Sequence, residues 1–138
     1  SISRVYREVM LELTAARGIE IKATHQSLMD KMPDMPALIF VCAIGRPDPV
    51  HASQLAFFGS ILPAAWSLML AFRARGIGTT WTSLLSAREK EVAEILGIPE
   101  DVTQTIMLPI AYTKDVVLRP ADRLSADEVT FIDSWGNG

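Results

Sequence analysis

The sequence predicts an α/β fold, with helices packed on a small sheet, and three observations carry that prediction. Apolar residues recur at helical spacing in the opening segment: Ile2, Val5, Tyr6, Val9, Met10 and Leu13. Two segments, ALIFVCAIG and VTQTIMLPIAYT, have the apolar and β-branched character of strands. Helical patterns lie between these segments, which is how helices come to be layered on a sheet.

The elements follow in order. SISRVYREVMLELTAARG is an amphipathic helix with Gly18 as its stop. KATHQSLMDKM is a second, shorter helix closed by Pro33 and Pro36. ALIFVCAIG has almost no polarity and reads as a strand covered on both faces. RPDPVH is a loop by its prolines. A long helix then runs from about Ala52 to Arg75, with Pro63 expected to kink or restart it and Gly76 to end it. IGTTWTSLL reads as a strand or extended segment. Ser86 and Glu89 have capping-box spacing and open another helix, which Gly97 and Pro99 close. In VTQTIMLPIAYT, Pro109 implies an edge strand or a bulge. RPADR is a loop, and a second capping box, Ser125 to Glu128, starts a short helix bearing Val129, Phe131, Ile132 and Trp135.

A length of 138 residues predicts a single domain over 1–138 with a sizeable core. The net charge of −3 offers no basic excess for a phosphate backbone, so nucleic-acid binding is not expected. Cys42, the single cysteine, excludes an internal disulfide and fits a reducing, cytoplasmic compartment; no signal-peptide pattern opens the chain. The 18 residues from Leu55 to Phe72 carry no charge, about the minimum for a membrane span. Gly59, Ser60, Pro63 and Ser67 interrupt them, and the reading adopted is a buried helix or subunit interface, not a membrane segment.

Most motif chemistries fail on spacing. Gly76 and Gly78 fit the start of a dinucleotide fingerprint, but Trp81 stands at its sixth position and an extended segment follows. The glycines therefore read as a helix stop and a tight turn. His25 and His51 are 26 positions apart, with no HxxxH or CxxC pairing, so no metal is expected. No GxSxG elbow presents a serine. Glu89, Glu91 and Glu94 alternate with Arg88 and Lys90 as a solvated helix face does. Arg119 and Arg123 flank Pro120 in a loop before a helix, a place suited to holding a phosphate by charge-assisted hydrogen bonds.

The ordered motifs SILPAAWSLMLAFRARGIGTTWTS, VAEILGIPEDV, MLPIAYT and RPADRLSADEV, with a tryptophan near the end, resemble the nitroreductase-like FMN flavoproteins from about Tyr6 onward. The resemblance implies a mixed sheet flanked by helices and a homodimer whose core is the long apolar helix. It implies FMN as cofactor, NAD(P)H as reductant and a small electron-poor acceptor such as a nitroaromatic or quinone. By position it makes Thr80, Trp81, Thr82 and Ser83 flavin-facing and gives Arg123 the FMN phosphate. A flat apolar slot, hydrogen bonds at the ring's polar edge and a cation are what such a cofactor requires, and these residue types supply them. Two departures accompany it. The family's N-terminal Arg-x-x-Arg or Arg-Ser-x-Arg phosphate motif and its Asn-bearing flavin loop are missing, so the chain reads as incomplete at its N-terminus. Ala111 also stands where the family commonly has glycine. The alternative expectation is a truncated, non-catalytic relative that binds or sequesters flavin.

Overall fold

A computed structural model describes residues 1–114, 116–117 and 119–137. Its first element is α1 (Ile2–Arg17), which buries Ile2, Val5, Tyr6, Val9, Met10 and Thr14 on one stripe. Thr14 donates its hydroxyl to the Met10 carbonyl at 2.7 Å, so the stripe closes on a polar residue without an orphaned donor. Gly18 stops the helix at φ 61°, the left-handed conformation that a residue lacking Cβ adopts at little cost. α2 (Ala23–Lys31) contributes Met29 to the interior and passes into a single 3₁₀ turn, Met32–Asp34, built on Pro33.

β1 (Ala37–Ile44), β2 (Ile77–Thr79) and β3 (Val102–Tyr112) form one sheet in the order β1–β3–β2. Where the resemblance implies a mixed sheet, the ladders among the described strands are antiparallel. Successive strand residues point to opposite faces, and this alternation divides the core in two. Leu38, Phe40 and Met107 face α1, α2, the 3₁₀ turn Leu84–Arg88 and α4 (Glu89–Leu96), joining Val5, Tyr6, Val9, Met29, Leu85 and Val92. Ile39, Val41, Ile106, Leu108 and Ile110 face α3 (His51–Arg73), where they meet Leu62, Ala65, Leu68 and Met69. Helices thus cover both faces of the sheet, in the expected α/β class. β3 is its best-buried strand, with Thr103 to Pro109 all inside. A fully buried Leu such as Leu108 is worth about 1.5–3 kcal/mol, which makes this strand the mechanical centre of the fold.

Several sequence expectations need correction. β3 is central, not an edge, and its bulge lies away from Pro109. Val41 pairs with Ile106 and Cys42 with Gln104, leaving Thr105 as the extra residue, its hydroxyl donating to the Val41 carbonyl at 2.7 Å. α3 continues through Pro63 without restarting. Ser86 is not a helix cap: its hydroxyl donates to the Ser83 carbonyl inside the 3₁₀ turn, and α4 begins at Glu89. The Glu89 carboxylate pairs instead with the Arg46 guanidinium and accepts from the Gln104 backbone N–H, a charged partner outbidding a local cap. The second capping box is present: Glu128 accepts from the Ser125 N–H at 3.1 Å and hydroxyl at 2.7 Å. These bonds hold the Glu128 carboxyl below its ordinary value. The helix it opens, α5 (Ala126–Val129), ends before Phe131, Ile132 and Trp135. Phe131 and Trp135 pack on each other at 5.0 Å between ring centres, and the described residues beyond Tyr112 are exposed.

Candidate functional site

The site forms where β2 leaves the sheet. Ile77, Gly78 and Thr79 pair with Tyr112, Ala111 and Ile110, and the same register resumes at a single bridge between Thr82 and Met107. Between them, Thr80 and Trp81 stand opposite Pro109 and Leu108 without a ladder. The alternation of N–H directions along β3 explains the gap. Met107 and Thr113 give their amides to the Thr82 and Gly76 carbonyls, so by alternation residue 109 should face Thr80, and a proline has no N–H to give its carbonyl. Two residues of extended chain are released from the sheet at that point.

Both sides of the gap are pinned. Thr82 and Met107 exchange backbone bonds of 3.1 and 2.8 Å. Before the gap, the Thr113 N–H and hydroxyl both reach the Gly76 carbonyl, at 2.8 and 2.9 Å. Gly76 has φ 72° just beyond α3, and a Cβ on Gly78 would lie 2.9 Å from the Thr113 methyl. α3 stops earlier than expected, at Arg73 with Ala74 as its cap, so Gly76 serves the turn that follows and Gly78 a close crossing over Thr113.

Thr80, Trp81, Thr82 and Ser83 form one wall of a cavity of about 520 Å³. The opposite wall is α1, through Tyr6, Met10, Leu13 and Thr14; Leu28 of α2 adds apolar surface, and Arg17, Glu20, Lys22 and His25 stand at the mouth. The four predicted residues are thus brought together, with Thr82 half-buried and Trp81 showing 38% of its surface. Tyr6 is 2% exposed; burial pushes its phenol up, and a side-chain hydrogen bond with Thr82 partly offsets the shift. The phenol is therefore a neutral group in the cavity lining.

Arg123 lies elsewhere. It belongs to the exposed segment beyond β3, its guanidinium donates to the Asp122 carbonyl at 3.1 Å, and it does not line this cavity. Arg119 is exposed on the same segment. Cys42 sits half-buried in β1, and burial followed by the nearby Glu89 charge pushes its thiol up, so it is kept from the thiolate form a nucleophile needs. Among the described residues, no three His, Cys, Asp or Glu side chains converge as a metal site would require. The sequence reading missed Tyr6, Arg17, Lys22 and His25 as lining residues. The first two did leave a signal: Tyr6, Met10, Leu13 and Arg17 are spaced 4, 3 and 4 apart, one continuous helical stripe that ends in a cation.

The family model described as the Nitroreductase family matches residues 3–112, from α1 through the last residue of β3. The chain belongs to the nitroreductase family. Membership supports an oxidoreductase at the level of the family, and flavin-dependent chemistry is what the family suggests. The matched span contains both walls of the cavity and stops before the segment that carries Arg123.

Proposed function

We propose that this nitroreductase-family chain is an FMN-dependent oxidoreductase that passes reducing equivalents from NAD(P)H to an electron-poor acceptor such as a quinone or nitroaromatic. The observation that carries the reading is the release of Thr80 and Trp81 opposite Pro109, which turns Thr80–Ser83 into the wall of a ligand-sized cavity. Its volume falls within the range of about 300–1,000 Å³ typical of cofactor and ligand pockets. The residues present fit a flavin. Trp81 offers a flat apolar surface, the Thr80 carbonyl lacks a ladder donor, and the Thr82 and Ser83 hydroxyls add polar groups along the same wall. A bound flavin supplies the hydride and electron chemistry, which side chains do not provide.

What the chain's own residues do is hold and exclude. Met10, Leu13 and Leu28 keep water from one side of the cavity, and Thr82, tied to Met107, keeps Trp81 in place. The neutral Tyr6 phenol adds no charge to the lining.

Assembly is part of the proposal. α3 is long and apolar enough, by length and composition, to cross a membrane. One of its stripes nevertheless lies on the sheet through Leu62, Ala65, Leu68 and Met69, while Leu55, Trp66 and Leu70 remain exposed. A helix committed to protein on one side and apolar on the other supports a homodimer in the cytoplasm over a membrane span.

The test is spectroscopic. The purified protein titrated with FMN should quench flavin fluorescence at a saturating ratio; anaerobic NADH or NADPH should bleach the bound flavin, and a quinone should restore its colour. Binding without bleaching by either nucleotide leaves a non-catalytic flavin binder, and no binding at all removes the flavin reading.

A further inference from the structure

We infer that Arg17, Lys22 and His25 form a phosphate-binding mouth on this cavity, so that a phosphorylated ring ligand is anchored between α1 and α2 and not by Arg123. The ligand assumed is the flavin of the reading above; the charge argument stands without it.

Three features place the anion there. First, the three basic side chains come from one short stretch, the last turn of α1, the residue preceding α2 and the first turn of α2, yet all line the same cavity as Trp81. Glu20 is the one carboxylate among the described lining residues, so the mouth carries an excess of positive charge in a chain whose net charge is −3. Second, the other two arginines of α1 are neutralised, Arg4 by Glu8 and Glu91 and Arg7 by Asp30, whereas Arg17 and Lys22 enter no ion pair among the described residues. Third, α2 starts without a side-chain cap and without an acidic residue in its first turn. The His25 and Gln26 amides both bond to the Lys22 carbonyl, so the N–H groups of Ala23 and Thr24 precede the first helical bonds and add to the local positive potential. Two flexible cations and a helix start, set beside an aromatic wall, suit a phosphomonoester attached to a planar ring.

The experiment compares FMN with riboflavin, which differ only by the phosphate, using Trp81-containing protein fluorescence and flavin quenching at low salt. Wild-type protein should prefer FMN by about tenfold or more, and the preference should shrink as salt is raised. The exposed double substitution Arg17→Gln/Lys22→Gln should abolish the preference while leaving riboflavin affinity unchanged; Arg123→Gln should leave it intact. Equal wild-type affinity for the two flavins overturns the inference, as does a preference that survives the double substitution. If neither flavin binds, the flavin reading fails separately and inorganic phosphate decides. Amide shifts at Ala23 to His25 seen in the wild type and lost in the double variant uphold the mouth. Their absence in the wild type ends it.

Discussion

The two faces of the sheet are covered by helices of opposite character. α1 buries six residues, all on one stripe, and turns its charged side to water; α3, at 23 residues, buries only Ala65. α3 lies on β1 and β2, whereas α1 packs on the 3₁₀ turn Leu84–Arg88, α2 and α4, its stripe joining Met107 in one cluster; the difference in burial needs a further cause. It comes from where the apolar residues sit around each helix. In α1 the large ones, Leu11 at 47% exposure apart, lie on the side that the interior consumes. In α3 they continue round the helix, and docking one stripe leaves Leu55, Trp66 and Leu70 at 62%, 55% and 51% exposure. Hydrophobicity beyond what the fold consumes is surface awaiting a partner.

The largest expected effects test that contrast directly. Val9→Asp puts a charge where the side chain is 1% exposed, with no cation placed to meet it. The cost of several kcal/mol rivals the whole stability of a domain, about 5–15 kcal/mol, so the variant should be unfolded by circular dichroism. Leu70→Asp places the same charge on the open side of α3, where a single chain already leaves half of the residue in water. That variant should keep its secondary structure and lose self-association, read as a fall to monomer mass in sedimentation. A folded dimer carrying Leu70→Asp would mean that this side of α3 is not the contact surface. An unfolded one would mean that the fold itself needs it.

The parts of this contrast that were legible in the sequence are local ones. Helical spacing in α1, the all-round apolarity of α3 and the Ser125–Glu128 box each depend on residues within a turn or two of one another, and each was read in advance. The Ser86–Glu89 box has the same spacing and fails, because Arg46, 43 positions away, claims the Glu89 carboxylate. Pro109 announced an interruption, but its consequence depends on which residue stands opposite, and that is decided by a register the local sequence does not encode. Thr80 to Ser83 are singled out through resemblance, and the structure gathers them on one cavity wall. Lys22 and His25 are not, since only the packing of α2 beside α1 turns an apparent solvated helix face into the mouth of a cavity. Arg123 is singled out by resemblance and by its place in a loop before a helix, and it is not among the residues that line the cavity.

A second test sharpens the finished face from within. Burial holds the Tyr6 phenol above its ordinary value of 10.0, and the Thr82 bond offsets only part of this. A raised folded-state value means the native state retains its proton where the unfolded chain has released it. The stabilisation is fully present below pH 10.0 and declines as pH rises through the folded value. Urea midpoints measured between about pH 9 and about pH 11 should therefore fall for the wild type. Tyr6→Phe should flatten that alkaline limb and leave stability near neutrality little changed. A variant with the wild-type alkaline limb would assign the loss to other groups.

The smallest effect on stability is expected at the breach in this face. Pro109→Val restores an N–H opposite the Thr80 carbonyl, and a closed ladder bond is worth about 0.5–1.5 kcal/mol. The substitution also frees the unfolded chain of proline's restriction, which removes about 0.4–1 kcal/mol of native-state advantage. The two nearly cancel, so the melting temperature should barely move, and stability is the wrong readout. Hydrogen exchange and ligand affinity separate the terms. The new amide at position 109 should be protected like its neighbours in β3, and flavin affinity should fall as Thr80 and Trp81 are drawn back onto the sheet and away from the cavity. If that amide exchanges freely and affinity is unchanged, the gap is held open by the pull of the helices on either side, and proline merely occupies a place where no donor was needed.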